Sequence, residues 1–178
     1  MEGLLSVYNP PRTDRPERGA PLKNPPAPTR LEIRYGDLDP YGHVNNAVYL
    51  EFLEKLRIDY WRALADLAGI QELEAGDVPG ARYVIAETTI RFKRAIFFED
   101  TLHGAARMRT VGNRSYTMDF ELRTGDDFEG GTIVAEGFAA HVFFDPVQDV
   151  VQPRPDWFLP TVARLEGRPE ETFVPEDR

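Results

Sequence analysis

The run YGDLDPYGHVNNAVYLEFLE, residues 35–54, places Asp37, Asp39, His43, Asn45 and Asn46 immediately ahead of a strongly apolar helical pattern. Pro40 fixes φ and Gly42 permits a left-handed turn, so a carboxylate at Asp39 can be held in a rigid bend. A helix start leaves N–H groups unpaired, and these favour negative charge and can hold the oxyanion formed when a carbonyl is attacked. A carboxylate beside such a start has the chemistry of a nucleophile or general base in acyl transfer. His43 is a competing base, because imidazole titrates near neutral pH. The same residue types also make an ordinary turn with an Asn cap, and Asp37 suits capping or buttressing better than reaction.

Other chemistries lack their usual signals. The chain has no cysteine, which removes thiolate metal sites, cysteine nucleophiles and disulfides. There is no G-x-S-x-G elbow, H-E-x-x-H helix or G-x-G-x-x-G turn. A formal charge of −9 argues against general binding to nucleic acid or acidic lipid. Arg91, Lys93, Arg94, Arg107, Arg109 and Arg114 nonetheless cluster within 24 residues, opposed in that segment by Glu99 and Asp100 alone. Such a cluster is either the solvated outer face of a sheet or a dock for an anionic ligand.

These residues need elements to position them. With 178 residues the chain has the length of one domain with a real core. Residues 1–28 hold 7 of the 15 prolines and read as an extended or disordered tail. Residues 29–166 read as the folded domain, and 167–178 as an acidic C-terminal tail. TRLEIRY alternates as a strand. Tyr49, Phe52, Leu53, Leu56, Tyr60, Leu64 and Leu67 then recur at helical spacing, which predicts a helix from Ala47 to about Ala68, capped by Asn45 or Asn46 and ended by Gly69. That helix would be roughly 33 Å long. Its wide apolar stripe suits a helix wrapped by a sheet. Period-two patterns follow at 84–93, 102–111, 116–123 and 132–145, joined by hairpin loops, with a short helix expected near 159–165. Consecutive strands with tight turns make an antiparallel sheet, and the one long helix must cover its apolar face, giving an α+β fold. No signal peptide or apolar run long enough to span a membrane is present, so cytoplasmic location and no membrane partner are expected.

RYGDLDPYGHVNNAVYLEFLEKLR resembles the start of hot-dog-fold acyl-CoA thioesterases of the 4-hydroxybenzoyl-CoA thioesterase type. IRFKRAIFFEDTL is similar to the family's second core strand and turn, and RPDWFLPTVARLEG to its C-terminal helix. The resemblance implies a curved antiparallel sheet around one long helix and hydrolysis of an acyl-CoA thioester. It implies Asp39 as nucleophile or general base, a carbonyl-polarising N–H at about Asn46, and Glu54 near the site. It implies no metal or redox cofactor, with coenzyme A entering as part of the substrate. A homodimer or homotetramer with the ligand between subunits is also implied, with Arg91, Lys93, Arg94 and Arg114 as candidates for the coenzyme A phosphates. The same stretch is similar to acyl-ACP thioesterases, in which His43 matches a histidine of the motif while Tyr41 stands at its asparagine position. An acyl-carrier-protein substrate, or a non-catalytic acyl-CoA or acyl-ACP binding protein, are the alternative readings.

Overall fold

The computed structural model describes residues 21–70, 78 and 80–175. The other residues of the expected tails, 1–20 and 176–178, lie outside the described residues. Strand β1 (Thr29–Leu31) leads through a 3-10 turn (Tyr35–Asp37) to helix α1 (Val48–Ala68). Strands β2 (Tyr83–Phe92), β3 (Leu102–Val111), β4 (Ser115–Thr124) and β5 (Thr132–Asp145) follow, then short β6 (Val150–Val151) and helix α2 (Phe158–Glu166). The six strands form one sheet in the order β1-β3-β4-β5-β2, with β6 on β5. Every pairing is antiparallel.

Helix α1 lies on one face of this sheet. Leu56, Tyr60 and Leu64 are at most 1% exposed and meet Leu102, Met118 and Phe120 from the strands in one core. A Cβ at Gly104 would sit 2.8 Å from Leu56, so the missing side chain lets the helix approach β3. Gly69 closes the helix in a left-handed conformation, with φ of 73°.

The two edges of the sheet differ. The free half of β3 is covered: the Met108 N–H donates to Glu166 and the Val111 N–H to the Phe173 carbonyl, at 2.7 Å each. Strand β2 pairs with β5 alone, so its other edge is open among the described residues.

The packed body extends past the expected limits of 29 and 166. Leu22 is buried against Ala105 and Phe128 on the face away from α1, and Phe173 is buried in the main core. Arg123 draws the N-terminal segment in: it donates to the Leu22 carbonyl at 3.0 Å and lies 2.5 Å from Glu121, which accepts the Leu22 N–H. These anchors are single residues inside proline-rich or acidic segments, so no periodicity announces them. Residues 21–28 are thus tied to the sheet, with a bend at Asn24, whose φ is 47°.

Candidate active site

The polar stretch folds into a compact corner at the start of α1. The Asp39 N–H donates to the His43 carbonyl at 2.9 Å, and Gly42, at φ 83°, donates to the Asp39 carbonyl at 3.0 Å. This closes the bend that Pro40 and Gly42 favour. The Asp39 carboxylate accepts the Tyr41 N–H on Oδ1 at 2.8 Å, and its Oδ2 lies 3.0 Å from His43 Nδ1. The side chain keeps 16% exposure, so it opens to solvent with acceptor capacity to spare. Bridges Leu38–Val44 and His43–Phe97, with a 2.8 Å bond from the Val44 N–H to the Ile96 carbonyl, fasten the corner to the segment after β2.

The helix start is built on Asn45. Its side-chain oxygen accepts the Ala47 N–H and its carbonyl accepts the Val48 N–H, both at 2.9 Å. The N-cap of α1 is Ala47, which makes no side-chain cap bond, so in place of the cap expected of Asn45 or Asn46 the Asn45 side chain closes a turn just ahead of the helix. Asn46 is exposed, and its N–H has no acceptor among the described residues. Exposed aromatic rings surround this end: Tyr35 and Phe98 pack edge to face at 6.2 Å, Tyr41 stacks on His43 at 6.1 Å, and Phe92 meets Tyr49 at 4.8 Å.

The structure therefore brings Asp39 and His43 together in the bend, with Asn46 at the helix start that the bend feeds. Glu54 lies eight residues further along α1, roughly 12 Å down the axis, exposed beside Arg57. The basic cluster divides. Arg91 and Lys93 reach Glu136 at 3.7 and 3.0 Å, Arg107 reaches Glu166, and Arg109 reaches Asp119. The local excess of positive charge is thus largely matched from β4, β5 and α2. Arg94 is exposed just beyond β2, whereas Arg114 sits in the β3–β4 hairpin beside Phe143, which pairs with the opposite end of β2.

Sequence reasoning passed over two groups. Arg34 joins Asp37 to Glu51, a contact across 17 residues that no local pattern reveals. Beneath the middle of α1, Arg57 donates to the Tyr83 hydroxyl at 3.1 Å and Trp61 to the Tyr116 hydroxyl at 3.2 Å. His141 stacks on Tyr116 at 4.5 Å, fully buried, with neither ring nitrogen in a well-aligned hydrogen bond. Burial, reinforced by the Arg57 charge, pushes its pKa down to about 3. Burial likewise raises Tyr83 and Tyr116 above the usual phenol range.

Residues 33–162 match the thioesterase-like superfamily. The chain belongs to that family. It is 27% identical over 117 residues to the long-chain acyl-CoA thioesterase FadM of Escherichia coli, a match covering 66% of this chain and 82% of the relative. A Thermus thermophilus thioesterase, solved with coenzyme A and zinc, superposes with a TM-score of 0.68 at 28% identity, over 83% of this chain and 99% of that one. A thioesterase-superfamily protein from Jannaschia shares the fold at 22% identity and a TM-score of 0.63, over 79% of this chain and 82% of its own. This thioesterase has the hot-dog architecture and is a thioester hydrolase. No helix among its described residues is long and apolar enough to cross a membrane, and none of them form a group of three or more potential metal ligands.

Proposed function

We propose that this thioesterase hydrolyses acyl-coenzyme A, with Asp39 as nucleophile or general base and the Asn46 N–H polarising the thioester carbonyl. One observation carries the reading: a solvent-open carboxylate, fixed in a bend by Tyr41 and His43, shares a corner with an unpaired amide at a helix start. The carbonyl oxygen accepts the Asn46 N–H. Asp39 attacks the carbonyl carbon, or takes the proton of a water that does. The carbon–sulfur bond then breaks and coenzyme A leaves as its thiolate; on the nucleophile route this leaves an acyl–Asp39 anhydride, which water cleaves to free acid and the regenerated carboxylate, and on the base route the free acid forms directly. His43, on Asp39 Oδ2, orients the carboxylate. The route draws on a carboxylate and backbone amides, without a metal or redox cofactor.

The E. coli relative's activity on long-chain acyl-CoA supports a fatty acyl group here. Arg91, Lys93 and Arg94, gathered at one end of β2, suit the phosphates of coenzyme A. The open β2 edge supports a homodimer built by pairing that strand with its copy. Antiparallel pairing would bring Arg114 of one chain toward Arg91 of the other, reuniting the divided cluster. The acidic, cysteine-free composition is compatible with the cytoplasm.

The test is thiol release from a panel of acyl-CoAs, with acyl-carrier protein alongside, for the wild type and Asp39→Asn. Turnover of at least one acyl-CoA, reduced about 100- to 10,000-fold in the variant, is expected. Binding without thiol release would make the protein a carrier, and undiminished turnover in Asp39→Asn would remove Asp39 from the chemistry.

A further inference from the structure

We propose that Arg34 is a positioning residue for hydrolysis, holding the Asn46 amide against Asp39 by clamping the loop of one to the helix of the other. The proposal rests on the roles given above to Asp39 and Asn46. The Arg34 side chain reaches two carboxylates at once. Its Nε and Nη2 lie 3.1 and 3.0 Å from Asp37 Oδ1, and Nη2 also lies 2.9 Å from Glu51 Oε2. Asp37 is buried and returns the grip: its carboxylate Oδ2 accepts the Arg34 N–H at 2.7 Å, and its backbone carbonyl accepts the Asn45 N–H at 2.8 Å.

These contacts form a closed ring. It runs from Asp37 to Asn45, along the chain through Asn46 to Glu51 in the first turn of α1, and back through Arg34 to Asp37. Asn46 is the member with an unpaired N–H, and Asp39 hangs from the ring two residues after Asp37. A shift of either segment would change the gap the thioester must bridge.

The location of the ring argues against a mainly stabilising purpose. Arg34 and Glu51 are 61% and 63% exposed in their side chains, where an ion pair adds little to stability. A guanidinium is suited to the task because its planar fork spans two carboxylates in fixed directions, which an ammonium does not.

The experiment uses the full chain and reads the carbonyl directly. In Asp39→Asn, which holds an acyl-CoA unhydrolysed, the bound thioester C=O stretch is recorded by difference infrared spectroscopy, with and without Arg34→Met. The expected result is a lowered C=O frequency on binding that returns toward the free value when Arg34 is removed. With Asp39 intact, Arg34→Met and Glu51→Gln should each lower kcat, by up to about 100-fold for Arg34→Met, while KM stays near wild type. Tm should stay near wild type in Glu51→Gln, which breaks the exposed arm of the clamp and leaves the buried Asp37 its cation. Arg34→Lys should recover the kcat only in part. An unmoved C=O band with unchanged kcat in both variants overturns the proposal. A kcat loss in Glu51→Gln accompanied by a matching fall in Tm also overturns it, since the clamp would then be structural. Wild-type turnover by Asp39→Asn itself indicts the role of Asp39 instead, and it is measured first.

Discussion

On the proposed route, Asp39 and His43 form the pair on which chemistry at the corner turns. His43 Nδ1 touches the carboxylate oxygen that Tyr41 does not, so the ring limits rotation of the side chain. Replacing His43 with Ala is expected to lower kcat about tenfold, less than Asp39→Asn does, and parallel thiol-release assays rank the two. A different histidine governs behaviour in acid. The unfolded chain protonates His141 near pH 6.5, whereas the folded chain does so only near 3. Its contribution is therefore complete above 6.5 and drains away as the pH falls toward 3, at up to about 1.4 kcal/mol per unit. Tm should drop between pH 7 and 5, and His141→Phe, which keeps a ring on Tyr116, should flatten that drop. Much of this corner was legible in the sequence, because Asp39, Pro40, Gly42 and Asn45 act on neighbours within four residues. Arg34 and the cluster around His141 were not, since their partners arrive from distant segments.

At the level of elements, the tightest joint is between α2 and the edge of β3. The Glu166 carboxylate is fully buried and takes bonds from the Tyr60 hydroxyl at 3.0 Å, Arg107 at 2.9 Å and the Met108 N–H at 2.7 Å. Glu166→Ala leaves Arg107 without its carboxylate and should cost about 3–5 kcal/mol, measurable as a lower denaturation midpoint. Strand β5 has a comparable weak point at Gly137, where an added Cβ would stand 2.7 Å from the Thr89 carbonyl. Gly137→Ala should destabilise by about 1–3 kcal/mol by forcing β2 away from β5. The expected limits of β3 and β5 agree with the structure, and each strand meets a glycine-bearing loop at one end, GNRS after β3 and TGDDFEGG before β5. Strand β2 shows where alternation misleads. An irregularity at Ala86 puts Ile85 opposite His141 and Glu87 opposite Ala140, so residues before it change faces relative to a strict two-residue repeat. Nothing in ETTIRF or YVIA marks that extra residue.

At the level of the whole molecule, the proposed homodimer places the open edge of β2 at the contact between copies. It carries Ile85 and Phe92, both nearly half exposed, and within Tyr83–Phe92 there is no proline or lysine to repel a second strand. Ile85→Lys and Thr88→Lys, which place charge on that edge, should shift the protein toward a monomer in sedimentation or light-scattering measurements. The overall architecture could be inferred from the order of periodic segments. The contrast between the two edges could not, because it depends on Glu166 and Phe173 returning from the end of the chain.

That contrast also sets a limit on growth. A sheet with two bare margins can add copies indefinitely, as fibrils do. Here one margin is occupied by the chain's own carboxylate and C-terminal turn, and β1 beside it is three residues long. In the proposed dimer, strand-by-strand recruitment through the bare side would end at two molecules. On that arrangement the proposed dimer would leave no bare strand edge on which a filament could extend.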